Sequence, residues 1–180
     1  MEWFEVRDEL LFRQPVAPDE AATVAQTGIY AWYDTRDALK HFYPKDFPPV
    51  DATLPLYVGL AAKDTLAARI VGTHMVNTRR SGLRRSLAAL LHDELGLTSG
   101  VVPYPKGKFD LAPQSEAKLT GWMRENGIGV TWVTHEEPTL VEKSIIRGLL
   151  SPLNFTYATG SPYRGHMKQL RSALRATALA

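Results

Sequence analysis

Two short aromatic-rich runs, TGIYAWYD at 27–34 and LPLYVGL at 54–60, are separated by a segment that carries Pro44, Pro48 and Pro49. Proline fixes φ and offers no amide hydrogen, so 35–53 reads as a connection and not as a strand interior. The fold must therefore set two strands on either side of a long excursion. Alternation puts Ile29, Ala31 and Tyr33 on one side of the first run and Tyr30 and Trp32 on the other. In the second run Leu54, Leu56 and Val58 oppose Tyr57, so pairing of the two strands would bring Tyr30 and Tyr57 onto one face.

A third alternating run, GIGVTWVTH at 127–135, sets Val130, Trp132 and Thr134 against Thr131 and Val133. Between the second and third strands the pattern is helical. KDTLAARIVGTHM at 63–75 has Asp64 as an N-cap candidate and Gly72 as a weak point, and LRRSLAALLHDEL at 83–95 gathers its leucines on one side, with Arg84, Arg85 and His92 toward other faces. The turn-rich 96–114 stretch predicts a surface excursion with a short edge strand or hairpin, and SEAKLTGWMREN at 115–126 predicts a helix. A helix starting at Glu137 and Pro138 and stopped by Pro152 follows, and a basic amphipathic helix over about 163–178 closes the chain. Residues 2–14 fit either a short helix or a strand. The order β, β, α, α, α, β, α, α predicts one α/β (α+β) domain over 1–180, with no internal repeat.

The chain contains no cysteine, which excludes disulfides, Cys-ligated zinc and thiol catalysis. Its five histidines, at 41, 74, 92, 135 and 166, lack paired metal-ligand spacing, and no glycine loop suited to a nucleotide phosphate is present. No signal-peptide pattern and no long apolar run is seen, so a soluble, cytoplasmic protein without a membrane partner is expected. Formal net charge is only +2, but its distribution is uneven. Residues 63–92 hold Lys63, Arg69, Arg79, Arg80, Arg84 and Arg85 against Asp64, and 160–180 hold Arg164, Lys168, Arg171 and Arg175 with no acid. Two basic regions on a nearly neutral chain fit an electropositive face for a polyphosphate backbone, or ordinary solvated helix faces.

These motifs together resemble the GIY-YIG nuclease family. GIY stands at Gly28, Ile29 and Tyr30, and YVG at Tyr57, Val58 and Gly59 occupies the place of the second motif. Arg69 matches the catalytic arginine, His74 the basic or histidine position after it, Glu142 the metal-binding glutamate and Asn154 the asparagine closing the last motif. The match spans about 27–155, and it looks like a bacterial branch with an insertion between the two motifs. The resemblance implies a small, mainly antiparallel three-stranded sheet flanked by helices. It further implies a metal-dependent endonuclease that hydrolyses DNA phosphodiester bonds with one Mg²⁺ or Mn²⁺ on Glu142.

In that scheme Tyr30 activates water, Tyr57 and Arg69 hold the phosphate, His74 binds a phosphate oxygen or assists proton transfer, and Asn154 bonds near Glu142 or to substrate. Gly28 and Gly59 shape the site. Where the family often has a lysine directly after the second motif this chain has Leu60, leaving Lys63 as a substitute for base activation and the general base undecided. Arg79, Arg80, Arg84, Arg85, Lys168, Arg171 and Arg175 are candidates for backbone phosphate contacts. Specificity would come from 35–53, from 96–114, from a protein partner or from a homodimer. RNA stands beside DNA as a substrate, and a non-catalytic nucleic-acid-binding module is the alternative to an enzyme.

Overall fold

The computed structural model describes residues 1–179. Strand β1 (Gly28–Asp34) lies between β2 (Tyr57–Ala61) and β5 (Ile128–Thr134), and both pairings are antiparallel. The register sets Tyr30 opposite Gly59 and Trp132, and Trp32 opposite Tyr57 and Val130. A central strand covered on both faces is buried along its length, and all seven residues of β1 are buried, apolar or aromatic side chains filling it up to Asp34 at its end.

Each face of the sheet carries its own core. Ile29, Ala31, Tyr33, Val58 and Val133 pack with Val6 and Leu10 of α1 (Trp3–Phe12) and with Val141, Ile145 and Ile146 of α6 (Pro138–Leu149). On the opposite face Tyr30, Trp32 and Val130 pack with α2 (Leu66–Arg69), α3 (Gly82–Leu90), α5 (Pro113–Glu125) and α7 (Arg164–Ala176). The result is a three-layer arrangement in which alternation along each strand divides two apolar sets. Residues 2–14 thus resolve as a helix, and its end is tied to the sheet: the hydroxyls of Tyr33 and Thr131 both donate to the Leu10 carbonyl.

Several boundaries differ from the sequence reading. The second strand begins at Tyr57, with Leu54 exposed in the preceding turn. Thr65, not Asp64, caps α2, its side chain accepting from the Ala68 amide at 3.1 Å. The threonine hydroxyl fills the same orphan-amide role that an aspartate carboxylate would. The α2 pattern then widens into a π turn over Ile70–His74, and the 83–95 pattern breaks at Leu91 into α3 and a short α4 (His92–Leu95). A short hairpin pairs β3 (Val102–Pro103) with β4 (Phe109–Asp110).

The 35–53 excursion folds back onto the body of the protein. The three amides of Arg36, Ala38 and Leu39 donate to the Asp34 carboxylate, and the Tyr163 hydroxyl donates to the Pro48 carbonyl at 2.6 Å. Tyr43 and Phe47 pack edge-on or tilted against the Tyr163 ring. No helix among the described residues is long and apolar enough to cross a membrane.

Candidate active site

On the α3 and α7 side of the sheet lies an open cavity of about 690 Å³. Tyr57 and Val58 of β2, Arg69 at the end of α2, Glu142 of α6 and Asn154 form part of its wall. Arg80, Arg85, Lys168, Arg171 and Arg175 complete the side that carries positive charge, joined by Lys106 and Lys108 from the tip of the β3–β4 hairpin. Glu142 is the only carboxylate in this lining among the described residues. A chain of net charge +2 has therefore concentrated cations around one concave surface.

The arginines here differ from ordinary surface arginines. Arg171 is half-buried, and no carboxylate among the described residues pairs with it. Burial, and next the like charge of Arg85, bring its guanidinium down to about 10. Arg85 is also half-buried; one of its nitrogens donates to the Thr78 carbonyl at 3.1 Å, while its Nε has no partner. Arg175 reaches the Tyr104 carbonyl, and its Nε is likewise buried without a partner. Desolvated cations with unused donors destabilise the free protein, and an anion in the cavity relieves that cost.

Arg84 belongs to a different class, and its expected contact with a phosphate backbone is corrected. Its side chain is 0% exposed. The guanidinium donates to the Glu116 carboxylate and carbonyl, to Thr78, to Thr120 and to the His74 carbonyl, and Thr78 in turn donates to Glu116. This is an interior pair knitting α3 to α5. Arg79 is exposed, but its guanidinium stacks 4.7 Å above the Tyr104 ring and lies outside the cavity wall. Lys63 is exposed and also stands outside that wall.

Behind the wall, three rings enclose His74. The centroids of Tyr30, Trp32 and Tyr57 lie 5.1, 5.6 and 5.8 Å from the imidazole, all edge-on. His74 is fully buried; its Nε2 is 2.7 Å from the Tyr30 hydroxyl and its Nδ1 is 2.7 Å from Ser81 Oγ. That Ser81 oxygen also caps α3, accepting from the Arg84 amide at 3.0 Å. Burial first, then Arg69, Arg84 and Arg85, hold His74 well below its ordinary value of 6.5, so it is neutral. The π turn at 70–74 is what turns the imidazole inward, away from the surface or capping position that a lone histidine near a helix end suggests.

The two motif tyrosines therefore differ in access. Tyr30 is fully buried and absent from the cavity wall, its phenol driven far above the ordinary range mainly by burial, with Tyr57 and Glu142 adding to the rise and Arg69 opposing it. Tyr57 is half-buried and borders the cavity. Its phenol is also raised by burial and by Glu142, against the lowering effect of Arg69, Arg85 and Arg171. The two rings share a face and each lies over a glycine. A Cβ at Gly59 would stand 2.6 Å from the Tyr30 hydroxyl, and one at Gly82 would stand 2.9 Å from that of Tyr57. Gly28 is needed for a different approach, because a Cβ there would meet the Val133 carbonyl oxygen at 2.2 Å.

Asn154 is buried, and both ends of its amide bond to β2. The Val58 amide donates to its Oδ1 at 2.8 Å, and its Nδ2 donates to the Val58 carbonyl at 2.9 Å. It serves the free edge of β2 as a one-residue strand. Leu60 packs with the α1 and α6 core, on the face opposite to Tyr57, so the departure at this position does not touch the cavity side of the strand.

A family model described as the GIY-YIG catalytic domain matches residues 28–176, most of the chain. The chain belongs to the GIY-YIG family. Comparison with curated proteins and with solved structures finds no match. Both the three-stranded antiparallel sheet and its flanking helices agree with this fold. Membership of a catalytic-domain family implies a nuclease, a phosphodiester-cleaving enzyme, with a nucleic acid as substrate.

GIY-YIG nucleases are generally dependent on a divalent metal, so the donor set of this member can be tested against one. No group of three or more histidines, aspartates or glutamates that could hold an ion occurs among the described residues. One partly buried glutamate in a cationic cavity nonetheless suits a hard, water-rich ion whose remaining positions are taken by water and phosphate oxygens. Burial raises Glu142 to about 7, with Arg69 opposing. This is a carboxylate whose charged form lacks enough compensation in the free protein. The residues fit the group.

Sequence reasoning missed Lys106, Lys108, Phe155, Thr156, Tyr157 and Ser172 in the wall. The hairpin lysines carried a legible signal, since Lys-Gly-Lys at a turn, with Asp110 as the one acid of the excursion, marks a basic tip.

Proposed function

We propose that this GIY-YIG protein is a metal-dependent endonuclease acting on DNA. The observation that carries this reading is the meeting of Tyr57, Arg69 and Glu142 at one cavity whose half-buried Arg85 and Arg171 have no acid partner among the described residues. A scissile phosphate supplies the missing anion. Arg69 offers its fork of donors to the nonbridging oxygens and offsets charge as the phosphorus becomes five-coordinate. Arg85 and Arg171 lie on the same wall and bind the neighbouring phosphates.

Tyr57 is the phenol that an attacking water can reach. Burial, and next Glu142, raise this phenol against the opposing pull of Arg69, Arg85 and Arg171, so the phenolate is its minor form; that form takes the proton of the water as the new O–P bond forms. The leaving alkoxide then takes a proton from solvent. Glu142 would hold the divalent ion, Mg²⁺ or Mn²⁺, and when bound that ion neutralises charge on the phosphate and on the leaving oxygen. Tyr30, enclosed with His74 and beside Arg69, positions the arginine and does not meet the water, a revision of the role that the family resemblance gave it. His74 and Asn154 act through Tyr30 and β2 and touch no substrate.

Purified protein incubated with Mg²⁺ or Mn²⁺ and supercoiled, single-stranded and branched DNA tests the proposal. Glu142→Gln and Tyr57→Phe should each lower turnover by about 100-fold or more while leaving metal-free DNA binding in place. Equal rates for Glu142→Gln and wild type would remove the mechanism. Tight, salt-sensitive binding with no metal-dependent turnover would instead establish a binding module on a nuclease scaffold.

A further inference from the structure

Tyr157 is an aromatic side chain that neither the fold nor the proposed hydrolysis uses. It borders the same cavity as Glu142 and Arg171 and is 41% exposed. Its backbone has φ of +64°, a left-handed conformation that suits glycine or asparagine and is unfavourable for a bulky ring. At 41% exposure the ring gains less from packing than a buried aromatic does, while its backbone angle adds a cost. Such outliers persist where the side chain has a task.

The surroundings indicate the task. Lys143 Nζ, next to Glu142 in sequence, stands 5.9 Å from the Tyr157 ring centroid, at the outer edge of cation–π contact, and part of the ring stays open to solvent. Nearby Phe155 is already occupied, with the guanidinium carbons of Arg164 and Arg171 at 4.9 and 5.1 Å from its centroid. The cavity volume of about 690 Å³ is in the range of sites that enclose a whole small ligand, well beyond one phosphate group. An exposed ring in a pocket edged by cations is the arrangement that stacks a nucleobase while its phosphates are held alongside.

We propose that Tyr157 is a stacking platform for an unpaired nucleobase next to a phosphate held by Arg171, and that the preferred substrate is single-stranded or locally unpaired nucleic acid. In a continuous duplex the base faces are covered by their neighbours, so a ring at this depth gains a partner only where a base is already free or is extruded. The proposal rests on the reading of the cavity as a phosphodiester site.

Binding measured without divalent ions separates it from catalysis. The probe is an oligonucleotide carrying 2-aminopurine, prepared single-stranded and as a duplex, in deoxyribose and ribose forms. The single strand of at least one sugar type should bind wild type with quenched fluorescence. Tyr157→Phe should keep both signals, and Tyr157→Ala should weaken single-strand binding about tenfold with much less effect on duplex. Tyr157→Gly guards against misfolding, because it relieves the backbone angle; it should melt no lower than wild type and still lose the quenching. Equal binding by Tyr157→Gly and wild type, or equal losses on single strand and duplex, would overturn the platform while leaving the phosphodiester reading intact. Failure of wild type to bind either form would overturn both.

Discussion

Two neighbouring arginines in one helix show how a charged residue is put to opposite uses. Arg84 is sealed in the interior with Glu116, so removing it by Arg84→Met leaves a carboxylate without its counter-charge; a loss of about 3 kcal/mol is expected in urea unfolding. Its position three residues before Leu87 and four before Ala88 already set it on the leucine face of α3, a periodic cue outweighed by its charge in the sequence reading. What the sequence could not supply was the partner, which lies 32 residues away on another helix. His74 makes a second residue-scale prediction. Because its folded value lies well below 6.5, the unfolded chain binds a proton that the folded chain does not, so stability falls progressively as pH drops below about 6.5. Glu142 acts in the opposite sense, since its value of about 7 exceeds the unfolded 4.5 and its contribution declines as pH rises through that interval. Comparing thermal midpoints of His74→Gln and wild type from pH 5 to 8 isolates the histidine: the gap between them should narrow toward acid.

At the level of elements, the three strands were legible because alternation is a local property, and the register then delivered Tyr30 and Tyr57 to one face. Helix ends were read less well. The continuous pattern over 63–75 became a four-residue helix and a π turn, because the need to bury His74 among three rings is a tertiary demand that no local propensity encodes. Asn154 was legible as a motif residue but not as a brace. Its amide closes both hydrogen-bonding groups of Val58, so Asn154→Ala leaves a buried donor and acceptor unmet, and a loss of about 2 to 3 kcal/mol is expected in chemical denaturation. Asn154→Asp keeps the acceptor only and should weaken the same edge. In both variants activity should fall in parallel with the folded fraction, which a role in substrate contact would not produce.

For the whole molecule, the decisive property is charge placed by folding. Two basic stretches in the sequence announced an electropositive surface, but which of their members face it depended on helix rotation: Arg85 and Arg171 meet there, while Arg84 and Arg79 do not. The 35–53 excursion is used to cover the aromatic cluster at Tyr163, and the 104–108 hairpin tip supplies cavity wall instead. Arg171→Gln should reduce the slope of log affinity against log salt by about one, with little dependence on nucleic-acid sequence. The same change should leave the thermal midpoint unchanged or raise it, since it removes a half-buried charge that has no acid partner among the described residues.

The bond from Asn154 back to Val58 also orders events during synthesis. The ribosome finishes both tyrosine motifs long before it adds the asparagine that locks the second of them or the arginines of α7 that complete the cavity. A nascent chain that stops short of residue 154 would lack both the brace on β2 and the α7 side of the cavity.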